Sequence, residues 1–188
     1  EEVLTTAKQL EEEASQGKSR GLLHGVPVGL KDIFYTAGMK TAAGSKVYAD
    51  FVPEFDATSV VKIKEAGGII LGKAVTTEFA TSDPSPTYNP WNFEHTPGGS
   101  SSGSSVAVAT KTVAAALGSQ TGGSTCRPAA YNGIVGLKAT YGRISRYGVV
   151  PVSWSLDHVG ILVRTVEDAA LMLKVMSGED ANDPGSAR

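Results

Sequence analysis

Val3, Leu4, Ala7, Leu10 and Ala14 recur every three or four residues among Glu, Lys and Gln, which predicts an amphipathic helix over residues 1–16, ended by Gly17. From Leu22 the pattern turns strand-like, with Gly25, Pro27 and Gly29 punctuating an apolar run that sets Lys31 at or near a strand end. Val60, Val61, Ile63 and Lys64 predict a helix with Asp56 as its N-cap. Gly67 and Gly68 close it before Ile69, Ile70 and Leu71, a short buried strand. A helix followed by a strand implies α/β layering. Residues 81–103 hold too few apolar positions for a core element and read as a long loop. After it the pattern predicts a short helix over Ser104–Thr110 and a strand over Val113–Leu117. A tight turn over Gly118–Gly123 then delivers Ser124 to the start of another helix. Residues 133–152 read as strands and turns. Val166–Met176 reads as a helix with Val166, Ala169, Ala170, Leu173 and Met176 facing inward, and residues 180–188 as loop. No repeat at solenoid periods is visible.

Composition narrows the function classes. At 188 residues and 41% hydrophobic the chain can bury one sizeable core, so a single domain over residues 1–188 is expected. A formal charge of −2 offers no footprint for a polyanion, and no nucleic-acid contact is expected. Cys126 is the only cysteine, so no internal disulfide can form, and a cytoplasmic setting is expected. No stretch approaches the roughly 20 apolar residues of a membrane helix, and no targeting segment is read.

Two patterns fail on context. Gly67–Lys73 nearly spells a phosphate loop, yet Ala74 stands where a hydroxyl should meet magnesium, and Ile69–Leu71 suits a strand better. A nucleotide-binding module built there is the rival from a non-enzyme class. Gly99–Gly103 matches the letters of a hydrolase elbow, but no strand precedes it. Composition alone would make that stretch a flexible linker. His95 is the histidine nearest the serine-rich loop, and no carboxylate is placed to orient it for a Ser-His-Asp arrangement.

A third pattern joins three segments: Gly29-Leu30-Lys31-Asp32, the run Thr96 to Ser104 around Gly98-Gly99-Ser100, and Gly118-Ser119-Gln120-Thr121-Gly122-Gly123-Ser124. Together they resemble the amidase signature family, whose bridging serine lies 24 positions before the nucleophile, as Ser100 does before Ser124. The motifs are most similar to those of malonamidase-like amidases and of the A-type component of glutamyl-tRNA amidotransferase. Two positions depart from the family pattern: Ser102 replaces a glycine, and Gln120 replaces the commoner Asp.

The resemblance implies an α/β fold with a mixed central β-sheet flanked by α-helices. It implies the N-terminal catalytic half only, since family members are much longer. It further implies an amidohydrolase that cleaves a carboxamide through a serine acyl-enzyme, with Ser124 as nucleophile and Ser100 and Lys31 handling the proton. The peptide bond before Ser100 would be cis. Backbone N–H groups of Thr121, Gly122, Gly123 and Ser124 would form the oxyanion hole. Lys31 can serve only if burial lowers its pKa. Arg127 would bind substrate, as in relatives where a Ser-x-x-Arg-Pro-Ala-Ala run holds a carboxylate, or else tie its helix to Asp157. Cys126 is expected to be a small buried bystander. No cofactor and no metal are implied. The expected partner is a small-molecule amide, with no membrane, and a homodimer stays open. Two alternatives remain: an A-type amidotransferase component releasing ammonia from glutamine, and an inactive fragment acting as scaffold.

Overall fold

The computed structural model describes residues 2–81 and 83–187. Glu1, Ser82 and Arg188, which fall in the expected first helix, long loop and tail, lie outside the described residues. Five strands form one mixed sheet: β1 (Pro27–Lys31), β2 (Ile69–Ala74), β3 (Ala115–Gln120), β4 (Val135–Lys138) and β5 (His158–Val163), in the order β2-β1-β3-β5-β4. β2, β1 and β3 run parallel, β5 is antiparallel to β3, and β4 is antiparallel to β5. The helices are α1 (Glu2–Ser15), α2 (Thr58–Glu65), α3 (Ser102–Ala109), α4 (Cys126–Asn132) and α5 (Val166–Met176).

Helices cover both faces, so the central strands are buried rather than alternating, and every residue of β3 is buried, the polar Ser119 and Gln120 at its end included. One face packs Val28, Leu30, Leu117, Ile161 and Val163 against Ile63 of α2 and Met172 and Met176 of α5. The other packs Ala116 and Leu162 against Val108 of α3 and Ala129 of α4. Small residues on β3 admit α3 at close range: a Cβ at Gly118 would lie 2.7 Å from the Ser101 hydroxyl.

Local chemistry explains the element ends. Thr165 caps α5 by accepting from the Asp168 N–H at 3.1 Å, and Glu167 and Asp168 occupy its first turn. Gly67 closes α2 with φ of +86°, where a side chain would also strike His24 at 2.7 Å. Three expectations need correction. Of the α5 residues expected to face inward, Val166 and Ala170 are exposed, and Met172 is buried beside Ala169 and Met176 instead. Ala57, not Asp56, precedes α2, because the Asp56 carboxylate is engaged by the Ala37 N–H at 2.8 Å and by Lys64 at 2.6 Å. The strand expected to stop at Leu117 continues to Gln120, since Gly118, Ser119 and Gln120 pair in full with Gly160, Val159 and His158.

Candidate active site

Lys31 is the last residue of β1 and is fully buried. Its Nζ donates to the Ser100 hydroxyl at 2.7 Å and to the Ser119 hydroxyl at 2.7 Å. Among the described residues no carboxylate forms an ion pair with it. Burial without a counter-ion disfavours the ammonium and pushes its pKa down from 10.5 to about 7, against a weaker opposing pull from the Asp157 charge. A large fraction of neutral amine is therefore present near neutral pH.

Ser100 is held by its backbone. The Gly99–Ser100 peptide is cis, and Gly98 takes φ of +75°. The Ser100 carbonyl accepts from the Thr77 N–H at 3.3 Å and from the Thr76 hydroxyl at 3.2 Å. Downstream, the Ser101 hydroxyl donates to the Ser119 carbonyl at 3.3 Å and accepts from the Ser119 N–H at 3.1 Å. The Ser104 hydroxyl donates to the Leu117 carbonyl at 2.8 Å. Asn132 of α4 donates to the Pro97 carbonyl at 2.7 Å, to the Ser105 hydroxyl at 2.9 Å and to the Pro128 carbonyl at 2.7 Å. A run that reads as a flexible linker by composition is thus pinned to β3 on one side and to α4 on the other.

Ser124 lies in the turn between β3 and α4, and α4 begins at Cys126 rather than at Ser124. The Ser101 N–H donates to the Ser124 carbonyl at 3.3 Å, which draws this turn toward Ser100. Among the described residues the Ser124 hydroxyl has no hydrogen-bond partner, so the contact with Ser100 is not closed in this state. The N–H groups of Thr121, Gly122, Gly123 and Ser124 likewise find no protein acceptor among the described residues. The turn keeps its shape through side chains. Gln120 Oε1 accepts from the Thr125 and Cys126 N–H groups at 2.9 Å each, and the Thr121 hydroxyl donates to Asp157. Four consecutive unengaged donors beside a serine hydroxyl can receive a developing anion.

Arg127 Nε donates to the Gly99 carbonyl at 3.1 Å, and its guanidinium lies against Gly123, with Cζ 3.9 Å from where a Cβ would stand. The tie to Asp157 is not formed, because that carboxylate is taken up by Thr121 and by the Val152 and Ser153 N–H groups. Cys126 is exposed, contrary to expectation, because α4 buries Pro128, Ala129 and Asn132 instead. No histidine hydrogen-bonds to Ser100 or Ser124 among the described residues. Residues 69–74 of the near phosphate loop form β2, and Lys73 there donates to the Phe34 carbonyl and the Thr41 hydroxyl. Ser119 stands in the sequence as one letter of the Gly118–Ser124 motif, placed in a turn, and nothing there singles it out as a partner of Lys31.

A sequence model described as Amidase matches residues 1–188. The chain belongs to the amidase family. Within that family, the A-type component of the glutamyl-tRNA(Gln) amidotransferase of Carboxydothermus hydrogenoformans is 48% identical over 190 residues, covering 98% of this chain and 39% of that protein. The chain therefore spans about two fifths of the length of such relatives. Among solved structures, native peptide amidase from Stenotrophomonas maltophilia superposes with a TM-score of 0.92 at 38% identity, covering 98% of this chain and 40% of that one. The A-type component of the Thermotoga maritima glutamyl-tRNA(Gln) amidotransferase does so with a TM-score of 0.84 at 45% identity, covering 88% and 38%. The mixed sheet with helices on both faces is the amidase fold, as the sequence led one to expect. No helix among the described residues is long and apolar enough to cross a membrane.

Proposed function

We propose that the chain forms the catalytic part of an amidase that hydrolyses a carboxamide C–N bond through an acyl-enzyme on Ser124. One observation carries the reading: a fully buried amine, Lys31, bonded to the Ser100 hydroxyl and free of carboxylate contact among the described residues. An amine with a pKa near 7 can take a proton and return it within one cycle. Ser124 Oγ attacks the carbonyl carbon while its proton passes to Ser100 Oγ and the Ser100 proton passes to Lys31 Nζ. The N–H groups of Thr121–Ser124 receive the oxyanion. Collapse breaks the C–N bond as the proton travels back through Ser100 to the leaving nitrogen, and water then repeats the sequence on the Ser124 ester. Closure of the Ser100–Ser124 contact belongs to the substrate complex, where catalytic hydrogen bonds tighten. The chain is read as the catalytic part of a longer domain in a cytoplasmic enzyme.

The test is intact-protein mass spectrometry after treatment with a fluorophosphonate probe, with mapping of the labelled residue. Label on Ser124 that disappears in Ser124→Ala is expected; label elsewhere, or none on folded protein, overturns the reading. Substrate choice is assigned to Arg127, whose two terminal guanidinium nitrogens are not used in hydrogen bonds to protein among the described residues and stand over the Gly123 turn. Arg127→Ala should lower turnover of amides that carry a second, free carboxylate far more than that of neutral amides. Equal losses on both would remove that role.

A second reading rests on the relatives named as amidotransferase components. In it the amide is that of glutamine and the product is ammonia for a partner. Release of ammonia from glutamine, but not from simple amides, would favour it.

A further inference from the structure

We infer that Ser119 is a positioning residue for the Lys31 amine, holding it against Ser100 and stabilising the ammonium that forms when it takes the relayed proton. The inference deepens the proposed amidase chemistry and rests on it. Lys31 Nζ contacts two hydroxyls at equal distance, 2.7 Å, and only one of them, Ser100, is needed to reach Ser124. The other needs its own account. When Nζ accepts the proton from Ser100 it becomes an ammonium in a fully buried place with no carboxylate in contact. Such a charge is costly unless each N–H meets an acceptor. Ser119 Oγ is the one acceptor there, among the described residues, that does not itself carry the proton in transit.

The surroundings of Ser119 let it act as an acceptor. It belongs to β3, with its backbone fixed by pairing to Val159 of β5 and by the Ser101 hydroxyl, so its Oγ has a set place. It is 8% exposed and borders a cavity of about 650 Å³ lined also by Asp157, His158, Tyr141 and Trp154. Its own O–H can turn toward that cavity and leave a lone pair for Lys31. The other charged groups near the amine are arranged differently. Asp157, in the segment before β5, acts on it through space, while Asp32, next in the chain, pairs with Lys73 of β2 at 3.8 Å. Neither reaches Nζ, so beyond burial itself the Ser119 hydroxyl is the contact left to support the protonated amine.

The experiment follows the rate of Ser124 labelling by a fluorophosphonate probe as a function of pH in the wild type, Ser119→Ala, Ser119→Thr, Ser119→Cys and Lys31→Ala. Loss of a hydrogen bond to a charged group predicts a plateau rate lower by roughly 10- to 100-fold in Ser119→Ala. The acid limb should also move to lower pH, because the ammonium loses an acceptor and gives up its proton more easily. Ser119→Thr should restore both plateau and limb, and Ser119→Cys, a weak acceptor, should fall between. A plateau drop with an unmoved limb overturns the inference, as does a Ser119→Ala protein indistinguishable from wild type. If Ser119→Ala does not fold, the Thr and Cys variants decide by the same two readouts. Lys31→Ala separates the levels: if it labels at the wild-type rate the relay itself fails, whereas a slow Lys31→Ala beside a normal Ser119→Ala removes only the role of Ser119.

Discussion

Two lysines stand near the ends of neighbouring strands, Lys31 on β1 and Lys73 on β2 in register with Leu30, so they point to opposite faces, and the chain treats them in opposite ways. Lys31 is fully buried among hydroxyls, while Lys73 keeps 12% of its side chain exposed and has Asp32 at 3.8 Å. Burial pushes both pKa values down, to about 7 for Lys31 and to about 8 for Lys73, where the Asp32 charge works against the fall. Asp32 in turn is raised by its own burial despite Lys73, and its Oδ1 has no hydrogen bond. The geometry accounts for this weak pairing, since Lys73 spends its donors on the Phe34 carbonyl and the Thr41 hydroxyl instead. Lys73 is thus given a carboxylate and a carbonyl, whereas among the described residues Lys31 is given two alcohols, as the proposed change of charge requires.

The largest test of that contrast is on rate. Lys31→Ala should lower amide hydrolysis by roughly 10²- to 10⁴-fold, the range for a positioned general base, whereas Lys73→Ala should act mainly on stability. Steady-state kinetics on the two variants, read beside thermal unfolding, will show whether the lysines differ in kind. Next in size is the pH dependence. Because Lys31 must be neutral to accept the proton, kcat/KM should fall about tenfold per pH unit below an acid limb near pH 7. A limb near the ordinary carboxylate range would place the base elsewhere.

Smaller effects concern stability. Lys73→Met leaves Asp32 buried without its cation, so Tm should fall. The loss should shrink as the solution is acidified, because burial favours the protonated Asp32 carboxyl and a neutral carboxyl no longer needs a partner. Lys31→Met should do the reverse and raise Tm. The folded pKa of Lys31 lies below its unfolded value of 10.5, so the cost of holding its proton is complete below about pH 7. That cost fades as pH climbs to 10.5, and the gain of the Met variant fades with it. Scanning calorimetry across that interval gives the sign directly.

The parts that depend on pattern are legible in the sequence. The apolar spacing of Val166–Met176 marks α5 from end to end, and the glycines at 67 and 68 separate α2 from β2. Lys31, Ser100 and Ser124 stand out through short motifs at a fixed interval, and the structure joins the first two directly and brings the third near through its backbone. Other features depend on partners distant in the chain. Strand β5 carries no sequence signal of its own, because His158–Val163 is a brief apolar run without alternation, buried by strands on both sides. Gln120 reads as a turn residue that departs from the family. Its amide oxygen in fact serves two N–H groups at the start of α4. Asp56 has the right type for a cap and the wrong neighbours, and Ser119, though a letter of the motif before Ser124, is not set apart from it as a lysine partner.

Asn132, at the far end of α4, grips the chain on both sides of the cis peptide through one side-chain amide. The place of Ser100 consequently depends on a residue remote from it in the chain. Any force that tilts α4 therefore pulls on the segment that carries Ser100.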